Sequence, residues 1–128
     1  THLPGFAPMV QPENVALIGI RDIDSGEAAN IRKAGVHAFT MSEVDERGLP
    51  AVMRDAIRLA THGTAGLHVS FDMDALDPEE APGVGTPVQG GITYREAHLA
   101  MELLHDTGMI ASLEVVEVNP VLDVSNKT

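Results

Sequence analysis

Short apolar runs alternate with capped helical segments along this chain, and no other feature constrains its fold as strongly. "NVALIGIRD" (14–22) is apolar for the length of a buried strand. "DSGEAANIRKAG" follows, with Asp24 or Ser25 as an N-cap, Glu27 in the first turn and Gly35 as a stop. "HAFT" (37–40) fits a second short strand. In "MSEVDERGLPAVMRDAIRLATHG" the spacing of Ser42 and Asp45 predicts a capping box, and Pro50 predicts a fresh helical start. Val52, Ala56, Ile57 and Ala60 then recur at helical spacing until Gly63. "GLHVSFD" (66–72) is a third strand, and a loop rich in Pro and Gly runs from Asp74 to about Ile92. Thr93 and Glu96 open another helix through about His105, and residues 109–120 give a last strand with Glu117 near its end. Residues 1–12, with Pro4, Pro8 and Pro12, read as an extended lead-in. Such alternation predicts an α/β fold, a mainly parallel sheet covered on both faces, in one segment spanning residues 1–128.

Composition narrows the function classes. A chain of 128 residues with 44% apolar content can bury one modest core. Its apolar runs are too short to cross a bilayer, and its start does not resemble a signal peptide. Without cysteine, any metal must be held by oxygen or imidazole, and a cytoplasmic location is the expectation. Nineteen acids against eight bases give a net charge of −11, which argues against a nucleic-acid partner. Three Phe and one Tyr leave little surface for base stacking.

In an open parallel sheet, ligands bind beyond the carboxyl ends of the strands. Three predicted strand ends carry acids: Asp22 and Asp24, Asp72 and Asp74, and Glu117. If the strand geometry persists, Asp72 and Asp74 leave the same face, and two hard oxygen donors suit Mg²⁺, Mn²⁺ or Ca²⁺. The alternative is a solvated polar turn that merely ends a strand. An EF-hand starting at Asp72 is excluded by Leu76 and Asp77, which stand where a polar ligand and a glycine are needed. A dehalogenase-type D-x-D site is disfavoured by Leu76 and by its late place in the chain. Asp77-Pro78 reads as turn structure. Thr86 is either a ligand hydroxyl or an ordinary turn residue. His68 reads as an ordinary strand histidine, with reach to the site as the alternative. His98 and His105 lack the i, i+4 spacing of a helical metal pair. No serine stands in a nucleophile elbow.

"SFDMDALDP" (70–78) resembles the S-x-D-x-D-x-x-D-P signature of the ureohydrolases, the arginases, agmatinases and their relatives. "GVGTPVQGGITYRE" (83–96) and "EVVEVNPVLD" (114–123) are similar to the family's following blocks, and "IGIRDIDSGE" (18–27) is similar to bacterial arginases in particular. The resemblance implies a three-layer α/β/α sandwich. It implies two Mn²⁺ ions bridged by a hydroxide that attacks the guanidinium carbon of L-arginine, giving L-ornithine and urea. By motif, Asp72 and Asp74 would be metal ligands. Glu117 would accept the guanidinium hydrogen bonds, Thr86 would be a further substrate contact, and Asp24 with Glu27 would bind the α-ammonium group. A homo-oligomer, trimer or hexamer, is the family expectation.

The family's upstream G-G-D-H and D-A-H-x-D blocks do not occur in this sequence. The chain is therefore expected to correspond to the C-terminal half of an arginase, to hold Mn²⁺ weakly and to be inactive alone. Exposed sheet edge and core are expected to promote self-association. The competing readings are an agmatinase or other guanidino-hydrolase, and a non-catalytic α/β fragment that acts through association.

Overall fold

Every strand pairing formed between named strands is parallel. The computed structural model describes residues 10–128. Strand β1 (Ala16–Ile20) is followed by helix α1 (Ser25–Ala34) and strand β2 (His37–Thr40), which pairs with β1. Helices α2 (Met41–Arg47) and α3 (Leu49–Ala60) come next. Strand β3 (Leu67–Asp72), helix α4 (Tyr94–Asp106) and strand β4 (Ile110–Val116) form the second unit, with β3 parallel to β4. Parallel neighbours need a crossover, and α1 and α4 lie within the two crossovers.

The α/β class and the parallel pairing of the strands are borne out. The described strands form two separate two-stranded sheets, β1–β2 and β3–β4. They are joined by packing instead. Helix α3 buries Leu49, Val52, Met53 and Ala56 in a core with Phe39 of β2, Val44 of α2, Leu67 of β3, and Ala100 and Leu104 of α4. Each Leu or Val removed from water there stabilises the fold by about 1.5–3 kcal/mol. Strand β4 is exposed along nearly its whole length, with Leu113 and Val115 each 53% accessible.

Local chemistry explains the helix ends. Gly35 closes α1 with a left-handed φ of 74°, a conformation that costs glycine little. The box expected at Ser42 and Asp45 forms two residues earlier: the Glu43 N–H donates to Thr40 Oγ1, and Glu43 Oε2 accepts from the Thr40 N–H. Strand β2 runs straight into α2, so Thr40 is the last extended residue and Ser42 already lies inside the helix. Thr93 and Glu96 cap α4 as expected.

The long loop between β3 and α4 folds back on its own start. The Asp77 N–H donates to the Ile92 carbonyl at 3.0 Å, and the Ile92 N–H donates to Ala75 at 2.9 Å. Leu76, Ala81, Ile92 and Ala97 make a second small core beneath it. The fit is close at Gly91, where a Cβ would lie 2.5 Å from both Asp77 N and Leu76 C. Backbone cannot yield as a side chain can. Gly91→Ala should therefore lower stability by about 1–3 kcal/mol in urea unfolding, and an unchanged midpoint would refute this packing.

Candidate functional site

The D-x-D pair is assembled by a turn rather than by strand alternation. Asp72 is the last residue of β3, and a single 3₁₀ turn, Met73–Ala75, begins immediately after it. The strand geometry does not persist to Asp74, so the condition under which both carboxylates would leave one strand face is not met. Asp72 Oδ1 instead accepts the Asp74 N–H at 2.9 Å, an Asx-type bond that turns the chain and brings the two side chains together.

Glu117 reaches the same place from the neighbouring strand. Asp72 pairs with Val116 in the β3–β4 register, so Glu117 follows one step beyond that partner. It adopts a left-handed φ of 62°, which is uncommon for a residue with a side chain. The chain on either side of it is held: Val84 bridges Val118, and the Asn119 N–H donates to Gly83 at 2.7 Å. Thr86, in the same loop, donates its hydroxyl to Asp74 Oδ2 at 2.7 Å.

Electrostatics record the crowding. Burial pushes the Asp72 carboxyl above its ordinary range, and the Asp74 and Glu117 charges push it the same way. The Asp74 N–H opposes them. Among the described residues, no group of three or more His, Cys, Asp or Glu side chains has the geometry of a metal site. Asp72 and Asp74 are neighbouring carboxylates, with Glu117 close enough to act on Asp72. A cleft of about 340 Å³ lined by Phe71, Met73, Tyr94, His98 and Met101 contains none of these acids.

Asp24 and Glu27 stand apart from this cluster in the described contacts. Together they form the capping box of α1. Asp24 Oδ1 accepts the N–H groups of Gly26 and Glu27 at 2.6 and 2.8 Å, while Glu27 Oε2 accepts the Asp24 N–H at 3.0 Å. Asp24 Oδ2 takes no part in those bonds. Asp22 is exposed. His68 is a strand histidine, as read from its position. Its Nδ1 lies 2.8 Å from Ser112 Oγ and its Nε2 lies 3.6 Å from Glu114, both on β4.

Sequence reasoning missed Arg21. Its guanidinium donates to the carbonyls of Asp74 at 2.7 Å, Ala75 at 3.3 Å and Leu76 at 3.3 Å. It also donates to Val88, from Nη2 at 2.6 Å and from Nε at 3.1 Å. The available signal was a lone cation among the acids in "IRDID" at the end of β1. Asp77 secures the same loop from the other side. Its Oδ1 accepts the Glu79 N–H at 2.9 Å, and its Oδ2 accepts the Gly90 and Gly91 N–H groups at 2.8 and 3.2 Å. The turn role expected of Asp77 is thereby borne out.

Those backbone donors, with the Arg21 charge assisting, hold the Asp77 carboxyl below its ordinary range. A carboxyl depressed in the folded state contributes stability above its unfolded pKa and loses it as pH falls through the folded value. Asp77→Asn should therefore be destabilising near neutral pH. Its deficit against wild type should shrink through the acid range, as read by urea unfolding at several pH values. A deficit that grows with acid would refute the assignment.

A model of the Arginase family matches residues 6–128. The chain is 52% identical to the arginase of Bacillus caldovelox over its whole length, and 51% identical to that of Bacillus subtilis (strain 168) over 99% of it. It spans 43% of the length of each of these relatives. The native structure of the Bacillus caldovelox arginase at pH 5.6 superposes with a TM-score of 0.92 at 53% identity, covering 97% of this chain and 42% of that one.

Proposed function

The chain belongs to the arginase family, and from that premise we propose that the intact protein hydrolyses L-arginine to L-ornithine and urea, using Mn²⁺. One observation carries the assignment of this segment. Asp72, Asp74 and Glu117 meet beyond the carboxyl ends of β3 and β4, where burial and like charge already disfavour ionised Asp72. A bound cation would relieve that opposition.

The donor chemistry fits such a cation. Asp72 at the end of β3 and Asp74 in the turn that follows offer hard oxygen ligands, as Mn²⁺ and its neighbours require. In this reading they are two ligands of a binuclear centre whose others come from elsewhere in the intact protein. When bound, the metal supplies the Lewis acidity that makes water a competent nucleophile at neutral pH. The remaining work falls to the chain's own side chains. The Thr86 hydroxyl bond fixes the direction of Asp74 Oδ2. Glu117 offers a carboxylate to the planar donors of the guanidinium, and Thr86 lies beside that position as a further substrate contact. Asp24, braced by Glu27 in the capping box, has Oδ2 available for the substrate's α-ammonium group. Agmatine lacks an ammonium-bearing centre there, so this arrangement favours the amino acid.

The family resemblance also supports a homo-oligomer, trimer or hexamer, while the net charge of −11 argues against a nucleic-acid partner and the lack of cysteine is compatible with a cytoplasmic location. Among the described residues no helix is long and apolar enough to cross a membrane.

The deciding assay measures urea released by the intact protein from arginine and from agmatine. Arginine is expected to be preferred, and Asp74→Asn to lower Mn²⁺-dependent turnover by about 100-fold or more. Preference for agmatine would overturn the substrate, and undiminished Asp74→Asn turnover would overturn the metal role. The 128-residue chain alone is expected to release no urea, because two ligands do not complete the centre. Release by the purified chain would refute that.

A further inference from the structure

We propose that Arg21 is a positioning residue, which holds the Asp74 turn and the Thr86 loop in one arrangement by gripping their backbone carbonyls. The inference rests on the metal reading above and adds to it a residue that touches neither metal nor substrate.

The grip follows from the geometry of the donors. Arg21 directs a planar fork of N–H groups at three separate stretches of backbone. From Nη1 it reaches the Gly19 carbonyl on its own strand at 3.5 Å and Ala75 at 3.3 Å. Through Nη2 it reaches Asp74 and Leu76 as well as Val88, and Nε adds a second bond to Val88. Its partners are all carbonyl oxygens, and the half-buried guanidinium makes no ion pair among the described residues. A charged donor spent on neutral carbonyls fixes backbone, since charge-assisted bonds are about twice as strong as neutral ones.

The gripped carbonyls are those that matter to the candidate site. One belongs to Asp74 itself. Val88 lies two residues beyond Thr86, whose hydroxyl must stay within reach of Asp74 Oδ2. Asp77 pins Gly90 and Gly91 at the far end of that loop. Arg21 and Asp77 thus leave the Thr86 segment little freedom relative to the turn. Arg21 also leads directly into Asp22 and Asp24, so it fixes the Asp24 end of β1 against the Asp74 end of β3, where no strand pairing exists. Lysine cannot reproduce this, because three donors on one nitrogen cannot serve three segments in a planar fork.

The test uses the intact protein with Arg21→Lys, which retains the charge and removes the fork. Mn²⁺ alone is titrated into the metal-free proteins, with free Mn²⁺ read by electron paramagnetic resonance. Affinity should weaken by about 10- to 100-fold, the range seen when a residue that orients a ligand is lost. kcat for arginine should fall more than KM changes, and the metal-free variant should remain folded with a lowered melting temperature. A folded Arg21→Lys protein with wild-type Mn²⁺ affinity and kcat overturns the proposal. Should the variant not fold, side-chain ¹⁵N NMR of wild type decides. Separate, slowly exchanging Nη resonances for Arg21 are expected, and rotationally averaged ones overturn the grip. A wild-type protein that takes up no Mn²⁺ overturns the metal reading itself, a result distinct from wild-type uptake matched by the variant.

Discussion

A single guanidinium does at the site end of this molecule what strand pairing does not. The β1–β2 and β3–β4 pairs share no hydrogen-bonded strand edge, and the core around α3 joins them from the helical side. Beyond the strands' carboxyl ends the connection passes through Arg21, which bonds the end of β1 to the Asp74 turn and the Val88 loop. Backbone carbonyls in a partly buried turn need donors in any case. Satisfying several of them with one side chain makes their relative positions interdependent. The placement of Asp74, and through it of Thr86, follows from that bond set.

The carboxylates are arranged at a cost in charge repulsion. Asp72 is pushed toward its neutral form by burial and by two neighbouring acids, and only one backbone N–H opposes this. Natural folds keep such opposition where function uses it, because mutual repulsion among carboxylates becomes attraction once a cation is shared. Glu117 adds a second local cost with its left-handed backbone, held by the Val84–Val118 bridge beside it. Two unfavourable features in adjoining residues of one strand-end cluster are consistent with the metal and guanidinium roles proposed for these acids.

Structural and functional roles overlap in the acidic residues. Asp24 and Glu27 cap α1, and that duty uses Asp24 Oδ1 and Glu27 Oε2 while leaving Asp24 Oδ2 outside the box. A side chain fixed by two backbone donors is better organised to receive a ligand than a free one. Asp77 is purely architectural by comparison: both its oxygens are occupied by amides of the turn and the returning loop.

The sequence alone determined what is local. Period and capping chemistry place β2 at His37–Thr40, the Gly35 stop and the Thr93–Glu96 box, because each depends on residues within one turn of each other. The resemblance to the ureohydrolase blocks likewise implies that Asp72, Asp74, Thr86 and Glu117 belong to one site before any coordinates are known. Only the tertiary structure decided how they meet. A D-x-D at a strand end has the same spelling whether the strand continues or turns, and the Asp72–Asp74 bond selects the turn. The early start of α2 was hidden for a similar reason, since Thr40 and Ser42 are both good caps and the end of β2 chooses between them. Arg21 was least legible of all. Apart from Gly19 on its own strand, its partners are carbonyls 53 to 67 residues away in the chain, and a backbone acceptor leaves no trace in the identity of the residue that carries it.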